Sequence, residues 1–254
     1  MKAVILAGGF GTRISEESRQ QPKPMIEIGG KPLLWHIMKI YAAYGVYEFV
    51  ICAGYLQHVI KAYFADYCLQ GSDVTFDFTR GGAAVLHSSA EPWKVTIADT
   101  GLHTMTGGRI LRAQKFIGKE PFFLTYGDGV ADIDIGALLK FHREKGKLAT
   151  ITAVSAQQRF GVIEADADGQ VVEFREKSGI DSVNGGFMVL EPGVFEYIQG
   201  DETIFERESM PRLAADGQLA AYRHEGFWQC MDTPWEKTLL EKLWGNAEAP
   251  WKVW

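Results

Sequence analysis

The chain contains no long apolar run. Its 254 residues never reach the stretch of about 18 apolar residues that a membrane-spanning helix needs. The first residues lead at once into an apolar strand and have no signal-peptide features, so we expect a cytoplasmic protein without membrane contact. Basic residues are also in deficit, because 26 lysines and arginines face 32 aspartates and glutamates, for a net charge of −6. This balance argues against a general nucleic-acid binder but allows a local basic cluster for phosphates.

Cysteine is scarce. Cys52, Cys68 and Cys230 match no metal-binding spacing, and their odd number favours reduced thiols over a disulfide framework. Histidines such as His36 and His58 have no second ligand at metal spacing either. The chain is nevertheless 46% apolar, so it can bury a core large enough to fold without disulfides.

The sequence does have a glycine-rich loop directly after its first strand. The segment KAVILAGGFGTR at 2–13 begins as an apolar strand, typical of one buried on both faces, and ends in three closely spaced glycines. Glycine lets a ligand approach the backbone closely, so such a turn can direct several N–H groups at phosphate oxygens. Arg13 adds a planar charged fork, and Lys23, between two prolines, adds a point charge. A tight turn with two surface cations is the alternative interpretation.

Two better-known glycine signatures do not fit this loop. A dinucleotide-binding fingerprint that starts at Gly9 requires a third glycine where Ile14 stands. A Walker-type loop requires Ser or Thr after Gly-Lys, but Gly30 and Lys31 are followed by Pro32. The sequence therefore predicts neither an NAD site nor an ATPase loop.

Strands and helices alternate along most of the chain. Helices are predicted at 33–44, 56–69, 135–145 and 235–244, strands at 47–53, 122–126, 149–154 and 187–190, and a hairpin at 162–164 and 171–174. This alternation predicts a mostly parallel sheet with helices on both faces, and ligands on such sheets bind at the carboxyl ends of the strands. The alternation stops between about 71 and 109. We interpret that stretch as a β-rich, otherwise irregular insertion that contributes to nucleotide and subunit contacts.

Several motifs resemble those of the sugar-1-phosphate nucleotidyltransferases. The string LAGGFGTR is followed by PKP at 22–24 and IGGKP at 28–32. The further matching segments are YGDG at 126–129, FREK at 174–177, NGGF at 184–187 and FWQCMDT at 227–233. The resemblance implies a Rossmann-like α/β fold in a single nucleotidyltransferase domain over 1–254. Its insertion would lie at 71–109 and a sugar-binding part at 156–254.

Other stretches resemble the cytidylyl branch of this family. They are WHIMK at 35–39, EPW at 91–93, DTG at 99–101, MTGGR at 105–109 and APWK at 249–252. The resemblance implies that CTP and α-D-glucose 1-phosphate give CDP-glucose and pyrophosphate, for surface polysaccharides such as O-antigen. It also implies a homo-oligomer, hexameric in cytidylyl relatives. Two alternatives stay open: the same reaction with UTP, dTTP or another sugar phosphate, and a non-catalytic nucleotide-sugar sensor.

The resemblance also implies roles for individual residues. Arg13 matches the arginine that grips pyrophosphate, Lys23 the lysine near the α-phosphate, and Lys177 the lysine that holds the sugar phosphate. Asp128 and Asp232 match metal-binding aspartates, which implies a Mg²⁺ cofactor, although an aspartate between glycines is by itself more often a turn residue. The expected nucleotide-binding residues are Leu6, Ala7, Gly8, Gly9, Gly11, Thr12, Arg13, Lys23, Thr104, Arg109 and Gly127. The expected sugar-phosphate-binding residues are Lys177, Asn184 and Gly185, and the expected catalytic residues are Arg13, Lys23 and Asp128.

Overall fold

The computed structural model describes residues 1–11, 14, 18–79, 81–156, 162–165, 170–175 and 181–254. The strands in these ranges are β1 (Lys2–Ala7), β2 (Glu27–Ile28), β3 (Lys31–Pro32), β4 (Glu48–Ala53), β5 (Ser72–Asp77), β6 (Gly82–Ser88), β7 (Lys94–Asp99), β8 (Phe122–Tyr126), β9 (Gly129–Ala131), β10 (Ala149–Ala156), β11 (Val162–Ala165), β12 (Val171–Arg175), β13 (Asp181–Leu190), β14 (Leu219–His224) and β15 (Trp228–Cys230). The α-helices are α1 (Leu33–Ala43), α2 (Gln57–Gln70), α3 (Thr106–Ile117), α4 (Ile135–Lys145), α5 (Met210–Ala215) and α6 (Pro234–Gly245). None of these helices is long and apolar enough to cross a membrane.

The main sheet of the described chain has seven strands in the order β14-β10-β13-β8-β1-β4-β7. β1 lies inside the sheet and pairs in parallel with β4 and β8. β7 and β14 also join in parallel, whereas β13 runs antiparallel to both of its neighbours. The prediction of a mostly parallel sheet is therefore confirmed.

Successive residues of β1 enter two different cores. Ala3, Ile5 and Ala7 pack in a core with residues of α1, α2, α4 and α6. Val4 and Leu6 pack in a second core with residues of α3 and α5. Helices thus cover both faces of the sheet, as predicted, and this is why the strand has no polar side.

Two helices begin or end at residues with strong local signals. Gly45 follows α1 at φ +79°, and its N–H donates to the carbonyl of Ala42 at 3.0 Å. The N–H of Val46 reaches the carbonyl of Tyr41 at 3.2 Å, which completes a Schellman motif. At α4 the side chain of Asp134 accepts a hydrogen bond from the first turn. Both helices therefore lie within one residue of the bounds predicted from the sequence.

The stretch 71–109 is more regular than the sequence predicted. β5 and β6 form an antiparallel hairpin, but β7 belongs to the edge of the main sheet beside β4, and α3 already begins at Thr106. The prediction of irregular backbone there was wrong because an edge strand has one neighbour and a weaker apolar pattern. Val95 and Ile97 pack against one core, and Ala98 enters the other. The predicted hairpin of β11 and β12 is confirmed.

Candidate active site

A cavity of about 570 Å³ lies at the carboxyl ends of β1 and β8. Its wall comes from the segments that follow β1, β7 and β8 and from a 3₁₀ turn at Lys23–Met25. The residues predicted from the sequence that line it are Leu6, Ala7, Gly8, Gly9, Gly11, Lys23, Thr104, Arg109, Gly127, Asp128 and Asp232. The cavity thus lies at the edge where parallel sheets bind their ligands.

Two distant aspartates meet at Lys23 in this cavity. The ammonium Nζ lies 2.8 Å from Asp128 Oδ2 and also donates a hydrogen bond to Asp232 Oδ1. Asp128 follows β8, whereas Asp232 follows β15 and precedes α6. The lysine side chain is only 10% exposed, so its position is set by these two carboxylates.

Lys23 keeps its charge despite its burial. Burial alone lowers the pKa of Lys23, but the charge of Asp128 and the hydrogen bonds with Asp128 and Asp232 outweigh it. The net effect raises the pKa of Lys23 above its ordinary value. A fixed positive charge therefore faces the cavity at neutral pH.

The carboxylates of Asp128 and Asp232 fit a hard divalent cation. Both can supply oxygen ligands, and both pair with the same ammonium group of Lys23 in the cavity, so their carboxylates together stabilise a positive charge there. No group of three His, Cys, Asp or Glu side chains with metal-site geometry occurs in the described parts of the chain. Two carboxylates are the protein contribution expected of a Mg²⁺ site completed by phosphates and water.

Arg109 is buried in the cavity wall, and its guanidinium donates hydrogen bonds to neighbouring residues of the protein. Its Nη1 donates to Thr100 Oγ1 at 2.9 Å and to the Gly101 carbonyl at 2.7 Å, and its Nη2 donates to the Leu102 carbonyl at 3.2 Å. A Cβ at Gly8 would lie 2.1 Å from Arg109 Nη1, so a side chain there would push the Arg109 guanidinium away from these bonds. Burial lowers the pKa of Arg109. Arg109 thus holds the loop after β7 against the glycine loop as well as lining the cavity.

Asn184 and Gly185, two of the predicted sugar-phosphate-binding residues, are not part of the cavity lining. Asn184 Oδ1 accepts the Gly186 N–H at 3.0 Å, and Asn184 Nδ2 points to the hydroxyl of Tyr126 at 3.4 Å. Tyr126 lines the cavity, whereas the Gly185 carbonyl is bonded to Trp228 Nε1 at 2.7 Å. The structure therefore connects Asn184 to the cavity through Tyr126. Thr12, Arg13 and Lys177 lie outside the described residues.

Some residues at the site were not predicted from the sequence. Tyr126 and Thr106 line the cavity, and the hydroxyl of each donates a hydrogen bond to the carboxylate of Glu206. Glu206 lies in none of the motifs found in the sequence. Glu236 Oε2 accepts the N–H groups of Asp232 and Thr233, both at 2.7 Å. The spacing of Thr233 and Glu236 is that of a capping box, so this contact could have been predicted.

Comparison with known proteins establishes the family. The family model of nucleotidyl transferases matches residues 2–237. The chain belongs to the nucleotidyl transferase family. This nucleotidyl transferase is 52% identical to the glucose-1-phosphate cytidylyltransferase of Salmonella typhi, with all of both chains covered. It is 48% identical, again over the full length of both, to the probable glucose-1-phosphate cytidylyltransferase of Bacillus subtilis (strain 168).

Solved structures agree with this assignment at the level of the fold. The crystal structure of HddC from Yersinia pseudotuberculosis superposes on this nucleotidyl transferase with a TM-score of 0.70. The alignment covers 96% of this chain and 99% of HddC, at 23% sequence identity. The predicted resemblance and fold class are therefore confirmed.

Proposed function

We propose that this nucleotidyl transferase transfers a cytidylyl group from CTP to α-D-glucose 1-phosphate, giving CDP-glucose and pyrophosphate. The observation that carries the proposal is the 52% identity, over the whole of both chains, with the Salmonella typhi cytidylyltransferase. The cavity supports it, because Lys23, Asp128 and Asp232 provide charges of both signs where a nucleotide binds on this type of sheet.

The reaction is a single displacement at the α-phosphorus of the nucleotide. An ionised oxygen of the sugar phosphate forms a new P–O bond, and the bond to the oxygen that bridges the α- and β-phosphorus breaks. The electron pair of that bond leaves with pyrophosphate, so no proton has to be transferred. Because both reactants are polyanions, the protein has mainly to position them and neutralise their charge.

Lys23 is suited to neutralise charge at the α-phosphate. It is protonated, buried and already oriented by two carboxylates, so little reorganisation is needed as charge develops. Asp128 and Asp232 would hold Mg²⁺, which supplies positive charge against the triphosphate when bound. Asp128 and Asp232 thus have two roles, because they also hold the Lys23 ammonium in place.

The remaining assignments rest on the sequence motifs. We assign Arg13 to the departing pyrophosphate, Lys177 to the phosphate of the sugar, and Asn184 with Gly185 to the sugar. Thr104 and Arg109 belong to the stretch that we assign to the base, and both line the cavity. CDP-glucose made here would supply deoxysugars for surface polysaccharides such as O-antigen.

A panel of substrates tests this proposal. Purified protein with Mg²⁺ is given each of CTP, UTP, dTTP, ATP and GTP with glucose 1-phosphate, and then CTP with other sugar 1-phosphates, while pyrophosphate release is followed. We expect the fastest release with CTP and glucose 1-phosphate. Faster turnover with another pair would mean that this pair, rather than CTP and glucose 1-phosphate, is the substrate pair of the enzyme. Ligand binding without turnover by any pair would instead favour the nucleotide-sugar sensor.

We further propose a cytoplasmic homo-oligomer, hexameric by resemblance. The hairpin of β5 and β6 supports an interface, because Phe76 is 54% exposed and Phe78 is 92% exposed, with their rings stacked at 6.3 Å. Sedimentation velocity at micromolar concentration should give a mass equal to that of several chains of 28.3 kDa each. A monomer under those conditions would contradict the assembly without affecting the proposed reaction.

A further inference from the structure

A carboxylate outside the predicted site residues joins the two sides of the cavity. Glu206 lies in a π-helical turn at Phe205–Ser209, a rare form that is frequent at functional sites. Its Oε1 accepts the Tyr126 hydroxyl at 2.6 Å, and its Oε2 accepts the Thr106 hydroxyl at 2.6 Å. Both distances are typical of strong hydrogen bonds to a charged acceptor.

Thr106 belongs to the side of the cavity that we assign to the base. It is the first residue of α3 and lies between Thr104 and Arg109, all of which line the cavity. Its Oγ1 also accepts the backbone N–H of Phe205 at 2.9 Å. The π-helical turn and the start of α3 are therefore held together through a single hydroxyl.

Tyr126 belongs to the side that we assign to the sugar. Its hydroxyl lies 3.4 Å from Asn184 Nδ2, and its ring packs on Gly186, where a Cβ would lie 2.6 Å from Tyr126 Cδ2. Gly186 also has φ +81°, so glycine is required there twice over.

We propose that Glu206 is a positioning residue that sets the geometry between the sugar-side Asn184 and the base-side Thr106 by holding Tyr126 and Thr106 at once. The inference rests on the proposed function. Glu206 acts on Asn184 through Tyr126, so loss of the Glu206–Tyr126 bond leaves the Tyr126 hydroxyl, and with it the Asn184 amide, less firmly placed. Use of the sugar phosphate should suffer most, while nucleotide binding should suffer least.

Tyr126→Phe removes the hydroxyl that donates to Glu206 and accepts from Asn184, and it keeps the ring on Gly186. We expect the KM for glucose 1-phosphate to rise about tenfold, as for a lost hydrogen bond to a charged group, and the KM for CTP to change less than about twofold. Tyr197→Phe is the matched control, because it removes a hydroxyl that donates to Asp216 at 2.9 Å away from the cavity. Its kinetic constants should equal those of the wild type.

Variants at Thr106 distinguish a positioning role from a merely structural one. Thr106→Val keeps the shape and removes the hydroxyl, whereas Thr106→Ser keeps the hydroxyl and should restore wild-type kinetics. In a double-mutant cycle, Thr106→Val and Tyr126→Phe should be non-additive, because both hydroxyls donate to the Glu206 carboxylate. Thermal midpoints identify any variant whose loss of activity follows from unfolding.

The outcomes separate the two proposals. Wild-type turnover with an unchanged sugar-phosphate KM in Tyr126→Phe, equal rises in both KM values, or additive effects in the cycle would overturn the role of Glu206 alone. If another substrate pair replaces CTP and glucose 1-phosphate in the panel, the same variants are measured with that pair. A wild-type protein that turns over no pair would overturn the proposed function and, with it, this inference.

Discussion

The net pKa shift has opposite signs in two buried basic side chains, Lys23 at the cavity and His36 beneath the carboxy-terminal residues, although burial by itself lowers the pKa of both. Lys23 is held by Asp128 and Asp232, and its pKa is raised. Burial lowers the pKa of His36 to about 4, against smaller opposing effects of backbone hydrogen bonds with Ile28 and Lys31. The difference shows that paired carboxylates, rather than burial, decide whether a buried base stays charged.

The surroundings of His36 explain why it stays neutral. Trp35, Trp244, Trp251 and Trp254 surround its ring, the nearest being Trp244 at 4.7 Å between centroids. His36 Nε2 lies 2.9 Å from the Ile28 carbonyl, and Trp251 Nε1 donates to Nδ1 at 3.3 Å. These contacts assign the proton to Nε2 and use both nitrogens of a neutral imidazole. His36 thus serves the core, in contrast to Lys23, which faces the cavity.

The largest loss of activity is expected when the ion pair between Lys23 and Asp128 is broken. Asp128→Asn removes the charge that contributes most to raising the pKa of Lys23, and it also removes one of the two proposed metal ligands. We expect pyrophosphate release to fall by at least about a hundredfold, as when a preorganised electrostatic contact is lost. Asp232→Asn should act in the same direction, because its carboxylate bonds the same ammonium.

The control for this change is Asp216→Asn, which alters a carboxylate bonded to Tyr197. That variant should keep wild-type turnover. Near wild-type turnover in both Asp128→Asn and Asp232→Asn, with thermal midpoints unchanged, would show that neither the pairing nor a metal at this position matters for the reaction.

A pH titration of stability sharpens the comparison at His36. Its pKa is about 4 in the folded protein and about 6.5 in the unfolded chain, so the unfolded chain binds more protons between these values. Stability should therefore be complete above about pH 6.5 and decrease as the pH falls towards 4. The expected loss is about 3 kcal/mol, since one pKa unit corresponds to about 1.4 kcal/mol.

Urea unfolding of the wild type and of His36→Gln across this pH range measures the effect. Glutamine does not titrate, so the difference between the two stability curves isolates the histidine from the carboxylates that titrate in the same range. Parallel curves for the two proteins would mean that His36 has the same pKa when folded and unfolded.

The smallest expected effect concerns the contact that uses His36 Nδ1. Trp251→Phe removes the donor and also leaves a small cavity where the fully buried indole packed, so stability at pH 7 should fall by about 2 kcal/mol. Trp235→Phe is the matched control, because Trp235 is 59% exposed. Equal unfolding free energies for both variants would contradict the role of this hydrogen bond.

Much of the fold could be predicted because its signals are local. The ends of α1 and α4 depend on Gly45 and Asp134, whose capping contacts lie within a few residues. β1 could be predicted because burial on both faces produces a continuous apolar run. β7 could not, because an edge strand is specified by its pairing with β4 rather than by its own pattern.

Part of the cavity lining was predictable from motifs, but the bonds between its residues were not. Lys23, Asp128 and Asp232 each lie in a motif, so their types and neighbours could be recognised. Glu206 lies in no such motif, and its importance follows only from the two hydroxyls that it accepts. Arg109 was expected at the nucleotide, and it lines the cavity, but its bonds to the loop after β7 were not foreseen.

The sequence by itself determined the family, the glycine loop and the supply of charged residues, since those are properties of residue type and local spacing. Only the tertiary structure decided which charges meet. Lys23 bonds residues 105 and 209 positions away, and Tyr126 bonds Glu206 across 80 positions. A hydrogen bond needs its atoms within about 3 Å, and partners so distant reach that spacing only when the whole sheet and its helices have packed.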